Sequence, residues 1–191
     1  MPSRDYADLP IDHVRRADRA VTDEAWIIDL LTRAPVGYLA TVHDSQPFIN
    51  SNLFVYDAEH HVIYMHTARV GRTRANVEGA DKVCFTVTEM GRLLPADEAL
   101  EFSVEYSSVM AFGTAAIVED AAEQRHGLQI LLDKYFPHLK PGEHYRPIAD
   151  DELDRTSVFR ITISTWTGKQ KKVGDDFPGA FLYPFMQQAV E

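Results

Sequence analysis

The chain has 191 residues, 45% of them hydrophobic and 25% charged, which is the make-up of one globular domain with a full core and excludes collagen-like, disordered and coiled-coil readings. Nineteen Lys and Arg against twenty-nine Asp and Glu leave a net charge of −10, so the overall field works against nucleic acid and anionic membranes as partners. The longest apolar runs are strand-sized and no basic start precedes an apolar stretch, so a cytoplasmic protein is expected.

Residues 1–21 carry Arg4, Arg15, Arg16 and Arg19 among acids and few large apolar side chains, and read as an extended arm that lies over a partner surface. Thr22 is the expected N-cap of a first helix. Asp23 and Glu24 follow in its first turn, and Trp26, Ile27, Leu30 and Leu31 form one apolar stripe that Pro35 ends. The period then changes to two. Val36 to Val42 and Phe48 to Tyr56 are expected as strands of a hairpin across His43 to Pro47, with Val62 to Ala68 as a third strand beyond the polar tip Asp57 to His61.

A short helix is expected over Gly71 to Gly79, and the alternation of Val83, Phe85 and Val87 gives a fourth strand from Lys82 to Thr88. Cys84 lies in that strand, where a small buried side chain fits better than a nucleophile, and a lone cysteine forms no intrachain disulfide. Residues 91–100 read as an irregular connection. A fifth strand, Glu101 to Val118, is broken by Gly113 at a bulge or bend. Asp120 with Glu123 opens a helix whose Leu128, Leu131, Leu132 and Tyr135 make a stripe covering the sheet, and Pro137 ends it. A polar loop over 137–150 leads to the sixth strand, Thr156 to Trp166. Six antiparallel strands with short helical insertions predict a mainly β fold, a small barrel spanning 22–173, with an aromatic tail at 174–191.

The densest chemical signal is His66-Thr67-Ala68-Arg69-Val70-Gly71-Arg72-Thr73-Arg74, where three arginines cross from a strand into a helix start. Free amides, a positive dipole end and guanidinium forks suit a phosphate, and Thr67 and Thr73 add donors. A solvated helix start whose arginines pair with surface acids accounts for the same residues, and both readings stand at this point. A second basic cluster, Trp166 to Lys172, combines an aromatic ring with Lys169; taken alone, Trp166 reads as a packing residue at the barrel rim. Two like-charged clusters in an acidic chain repel unless an anion sits near both, which places them together across a subunit interface. Ile49-Asn50-Ser51-Asn52 and Tyr106-Ser107-Ser108-Val109 put small polar side chains inside strands, which allows close approach of a ligand or forms a solvent-facing row.

No HExxH, paired CxxC, P-loop, GxGxxG or GxSxG spacing occurs, and no metal is expected. Of eight histidines only His60 and His61 are adjacent, and they read as a solvated turn.

In order, Gly37-Tyr38-Leu39-Ala40-Thr41, the turn ending at Pro47, Tyr64-Met65-His66-Thr67-Ala68 with Gly71-Arg72, Val83-Cys84-Phe85, and Tyr106-Ser107-Ser108-Val109 with Gly113 resemble the pyridoxamine 5′-phosphate oxidase-like FMN-binding split barrels, in particular their Nim-like, nitroimidazole-resistance branch. The resemblance runs from about Arg16 to Val173. It implies a six-stranded Greek-key split barrel and a homodimer holding two FMN molecules between its subunits. It also implies that the FMN phosphate lies on Gly71, Arg72 and Thr73 with His66, Thr67 and Ala68 adjoining. Ile49, Asn50, Ser51 and Asn52 would line the ring and ribityl chain, and Ser107, Ser108, Val109, Trp166 and Lys169 would complete the pocket.

Several members have Lys where this chain has Thr73, so Arg69 or Arg74 would assist Arg72. Lys169-Gln170-Lys171-Lys172-Val173 departs from the Arg-Leu-His-Asp-Arg type ending of true pyridoxamine phosphate oxidases, which argues against vitamin B6 oxidation. The expected activity is instead FMN-dependent reduction of a small electrophile, nitroaromatic or quinone, with electrons from NADH or NADPH. His66 would be proton donor or substrate orienter, or a packing residue beside the flavin. Haem, a deazaflavin, or flavin binding without turnover are the competing readings. The tail, with Phe177, Phe181, Tyr183 and Phe185, is expected to pack on the partner subunit or over the cofactor cleft.

Overall fold

The structure is a computed structural model and describes residues 8–184. Its strands are β1 (Ala20–Val21), β2 (Gly37–His43), β3 (Gln46–Asn52), β4 (Phe54–Asp57), β5 (Val62–Ala68), β6 (Lys82–Leu94), β7 (Ser103–Ile117) and β8 (Thr156–Lys171). Its helices are α1 (Glu24–Arg33), α2 (Arg72–Gly79), α3 (Ala121–Tyr135) and the single turn α4 (Asp150–Leu153). One antiparallel sheet runs β3-β2-β6-β7-β8-β5-β4, with β1 added to β8. This is the mainly antiparallel, split-barrel architecture expected, built from eight strands rather than six.

The two extra strands have separate causes. The segment expected as one strand from Phe48 to Tyr56 breaks at Leu53, because β3 pairs with β2 while β4 pairs with β5. At the break the Tyr135 hydroxyl lies 3.1 Å from the Phe54 amide and 3.0 Å from the Phe54 carbonyl, taking the place of a missing sheet neighbour. The other extra strand comes from the arm: Ala20 and Val21 pair with Lys169 and Gly168, and Asp12 accepts from the Thr165 hydroxyl at 2.6 Å. Residues 12–21 therefore lie along the chain's own β8. Arg4 and Phe185 fall outside the described residues.

Three further expectations are corrected. Residues 91–94, read as irregular, continue β6 past a bulge between Met90 and Leu93. Thr167 to Lys171, expected beyond the last strand, lie within β8. The cap of α1 is Asp23 rather than Thr22, its carboxylate accepting the Ala25 amide at 3.0 Å. At Gly113 the register shifts as expected; a Cβ there would stand 1.9 Å from the Thr162 carbonyl oxygen, so only glycine lets β7 and β8 approach so closely.

The main core joins Leu30 and Leu31 of α1 to Leu39, Phe54, Phe85, Phe159 and Ile161, and Phe54 meets Phe85 edge to face at 4.9 Å. A second core of Val55, Val62, Tyr64, Val118, Leu131 and Val158 forms where α3 covers β4 and β5. Lys134 then ties α3 to α1, donating to the Ala34 carbonyl at 2.9 Å with its ammonium 3.8 Å above the Phe54 ring. The tail folds back on its own chain: Leu93 and Phe181 exchange backbone hydrogen bonds, and Glu105 accepts the Val173 amide at 3.0 Å and the Arg92 guanidinium at 2.8 Å. The guanidinium and that amide hold the Glu105 carboxyl down to about 2.

Candidate functional site

Helix α2 begins on Gly71, which has no side chain to cap it, so the amides of Arg72, Thr73 and Arg74 have no acceptor within the helix. A Cβ on Gly71 would meet nothing within 4 Å, so the space in front of this helix end is open. The three arginines around it are not equivalent. Arg69 donates to the Asp154 carbonyl at 2.8 Å, and Arg74 is held by Glu78 and the Ser157 hydroxyl at 2.8 and 2.9 Å. Arg72 is exposed and has no hydrogen-bond or ion-pair partner among the described residues.

Thr73 is buried and accepts from the Asn50 amide at 3.2 Å, which brings the β3 and α2 residues of the expected site together. Alternation along β3 puts Asn50 and Asn52 on the inward side and leaves Ile49 and Ser51 exposed. Asn52 Nδ2 is a buried donor with no partner among the described residues. Deeper in, the Asn76 amide donates to the buried Thr41 hydroxyl at 2.8 Å, so polar contacts seat α2 on β2.

His66 and Thr67 are neighbours on β5 and point to opposite sides of it. Thr67 donates to the Ala68 carbonyl at 2.9 Å, and Ala68 is exposed at the strand end. His66 lies on the α3 side, where it lines a cavity of about 450 Å3 with Leu128, Leu131, Leu132, Tyr145, Arg146 and Arg155. Its Nδ1 is buried with no partner, and burial lowers its pKa, so the ring is neutral at neutral pH. A neutral imidazole is a better ligand or acceptor than proton donor.

The remaining expected site residues lie elsewhere. Ser107, Ser108, Trp166 and Lys169 sit toward the far end of β7 and β8, with Ser108 opposite Lys169. Trp166 is ten residues, roughly 30 Å of strand, beyond Thr156, the partner of Ala68. Within one chain the two basic clusters are therefore apart. Trp166 packs against His61 at 4.6 Å and Tyr56 at 6.2 Å, Gln170 donates to the Ser107 hydroxyl, and the Val109 side chain is fully buried in the core. Cys84 is half-buried, and burial pushes its thiol pKa up, against a nucleophilic role.

Cys84 shares an outward face with Tyr38, Val42, Ile49 and Met110, four apolar side chains that are 37 to 66% exposed. The turn histidines are also more engaged than expected. His61 bonds the Tyr56 hydroxyl through Nδ1 at 2.9 Å, and His60 joins His126 on the buried carboxylate of Asp57. Sequence reading missed that group because His126 is distant in the chain and sits on the exposed side of an amphipathic helix, among other polar residues.

Among the described residues no helix is long and apolar enough to cross a membrane. No curated protein matches the chain. Of solved structures, the flavocytochrome Anf3 from Azotobacter vinelandii is similar at 22% identity and a TM-score of 0.73, covering 90% of this chain and 84% of that one. The FAD and heme binding protein from Mycobacterium smegmatis has 22% identity and a TM-score of 0.73, with 83% and 76% covered. A Bacteroides thetaiotaomicron protein assigned to 5-nitroimidazole antibiotic resistance has 19% identity and a TM-score of 0.66, with 79% and 86% covered. Identities this low establish a shared fold. The family profile described as pyridoxamine 5′-phosphate oxidase matches residues 23–170, from the α1 cap almost to the end of β8, and so the chain belongs to that family.

Proposed function

We propose that the protein is a flavin-dependent oxidoreductase that binds FMN through its phosphate at the N-terminus of α2. The observation that carries this reading is Arg72, the unpaired arginine beside three free helix amides and an open approach over Gly71. When bound, the flavin would supply two-electron hydride chemistry between NADH or NADPH and a small nitroaromatic or quinone acceptor. The chain's own work is to bind and orient. Arg72 and the α2 amides hold the phosphate, Asn50 is already fixed by Thr73, and the unpartnered Asn52 amide offers a donor to the ligand.

The second basic cluster is supplied by a partner subunit in this reading, since Lys169 and Trp166 are too far along β8 to reach Arg72 in the same chain. The exposed apolar face of Tyr38, Val42, Ile49 and Met110 supports a homodimer in which the two clusters face each other.

A second reading has its own support. The His66 cavity, apolar on the α3 side with Arg155 and the Glu152-paired Arg146 beside it, would fit a haem with a carboxylate on Arg155. The neutral ring of His66 and its unpartnered Nδ1 suit an iron ligand or its neighbour. Two of the similar structures are a flavocytochrome and a FAD and heme binding protein, which favours testing both ligands. The full chain is titrated separately with FMN, FAD and haemin and read by absorbance. FMN binding with quenched fluorescence supports the first reading, and a Soret band lost in His66→Ala supports the second. No flavin bound by any preparation overturns the proposal.

A further inference from the structure

We propose that Asp57, His60 and His126 form a binding site for one divalent metal ion of the zinc type, with coordination positions left open toward a neighbouring cavity. Three separate elements converge here: the end of β4, the turn between β4 and β5, and the exposed side of α3. Asp57 is placed first. Its side chain is only 7% exposed, and its Oδ1 accepts the turn amides of Glu59 and His60 at 3.1 and 3.3 Å. Those bonds leave Oδ2 for the two imidazoles, His60 Nδ1 at 2.9 Å and His126 Nε2 at 2.7 Å.

The turn is shaped for this. The Glu59 and His60 amides bonded to Asp57 Oδ1 bring His60 over Asp57, and His61 closes the turn in a left-handed conformation at φ 54. The three donor atoms lie within 4.8 Å of one another. An ion bound at about 2.1 Å to each needs donor separations of roughly 3.0 to 3.5 Å, so the two oxygen–nitrogen pairs open slightly and the imidazole nitrogens draw together by up to roughly 1 Å to convert the hydrogen-bonded cluster into a ligand set. His60 and His126 have side chains 56% and 42% exposed and are free to make these shifts. The ring protons then move to the other nitrogen of each imidazole.

The donor chemistry selects the ion class. Two imidazoles and one carboxylate suit zinc or another borderline transition-metal ion rather than calcium or magnesium, which prefer oxygen donors. Three protein ligands leave at least one position, which faces a cavity of about 510 Å3 lined by Val62, Tyr64, Glu123, Arg160 and Thr162 as well as both histidines. Inside it Glu123 accepts from the Tyr64 hydroxyl at 3.0 Å and from Arg160 at 2.9 Å, a fixed polar wall beside the ion's open side. The cavity shares no lining residue with the His66 cavity and includes none from α2, so the inference stands apart from both the haem and the flavin readings.

The test is calorimetric titration of Zn2+ into the untagged, chelator-treated full chain. One ion per chain is expected, and His126→Gln and His60→Gln should each weaken binding by roughly tenfold or more, since loss of a ligand costs at least as much as loss of its supporting partner. His138→Gln, on an exposed loop, should leave binding unchanged. Both cluster histidines are exposed, so the variants are expected to fold, and circular dichroism checks that. Co2+ gives a second readout, a visible absorption that both variants should lose. A wild-type chain that takes up no Zn2+ at one per chain, or variants that bind as well as the wild type, would overturn the proposal and leave a hydrogen-bonded cluster only.

Discussion

Two of the helices that pack on the sheet, α3 and α2, are held by different means. Helix α3 has fifteen residues, buries Leu131 with Tyr64 and Val158 in the second core, and is fixed at its end by Lys134 and Tyr135. Helix α2 has eight residues, gives only Val77 to the main core, and is otherwise seated by polar bonds, Thr73 to Asn50, Asn76 to Thr41 and Arg74 to Ser157. Apolar burial carries most of the stabilisation in a fold, while directional bonds fix an orientation at smaller net gain. On this contrast α3 is a structural cover, and α2 is a short platform that aims its N-terminus.

The comparison breaks most severely if α3 loses its anchor. Leu131→Ala is expected to destabilise the protein by about 2–5 kcal/mol, read by urea unfolding, because a cavity opens in a small core with little room to collapse. Flavin affinity of the protein that remains folded should be unaltered. Equal loss of affinity would show that the two helices are not separate devices.

Arg72→Ala should do the reverse. Flavin binding is expected to weaken by about 1.5–3 kcal/mol, roughly tenfold to 150-fold in Kd by fluorescence titration, while unfolding stays unaltered because Arg72 has no partner among the described residues. Its wild-type affinity should also fall more steeply with salt than the variant's.

Asn76→Ala sharpens the account of how α2 is seated. It leaves the buried Thr41 hydroxyl without its donor, but it also removes Oδ1, itself buried and unpartnered, so a net loss of only about 1 kcal/mol is expected on denaturation.

The smallest effect concerns the tie from α3 to α1. Burial holds Lys134 at about 8 in the folded protein, below the ordinary lysine value of 10.5. The unfolded chain therefore binds more protons between those values, and stability should rise as pH climbs through that window. The Ala34 and Leu31 carbonyls at the end of α1 favour the charged ammonium and keep the rise small. Unfolding midpoints from pH 7.5 to 10.5 in wild type and Lys134→Met check it, the variant lacking the lysine contribution.

Much of this molecule follows from local pattern. Alternation in Val83, Phe85 and Val87, the stripe Leu128-Leu131-Leu132-Tyr135, the Asp120 cap and the close approach at Gly113 are dictated by side-chain period and backbone sterics, which act within a few residues. The arginine cluster at the start of α2 was legible for the same reason. What tertiary structure decided are the questions of partner. It broke the run from Phe48 to Tyr56 by assigning its halves to different neighbours, folded residues 12–21 onto β8, and reserved Arg72 by engaging Arg69 and Arg74 elsewhere. It also carried His126 across 69 positions to the carboxylate of Asp57. Periodicity specifies which face of an element is apolar. It holds no information on which distant element will cover that face, because that choice is made by packing the whole chain at once.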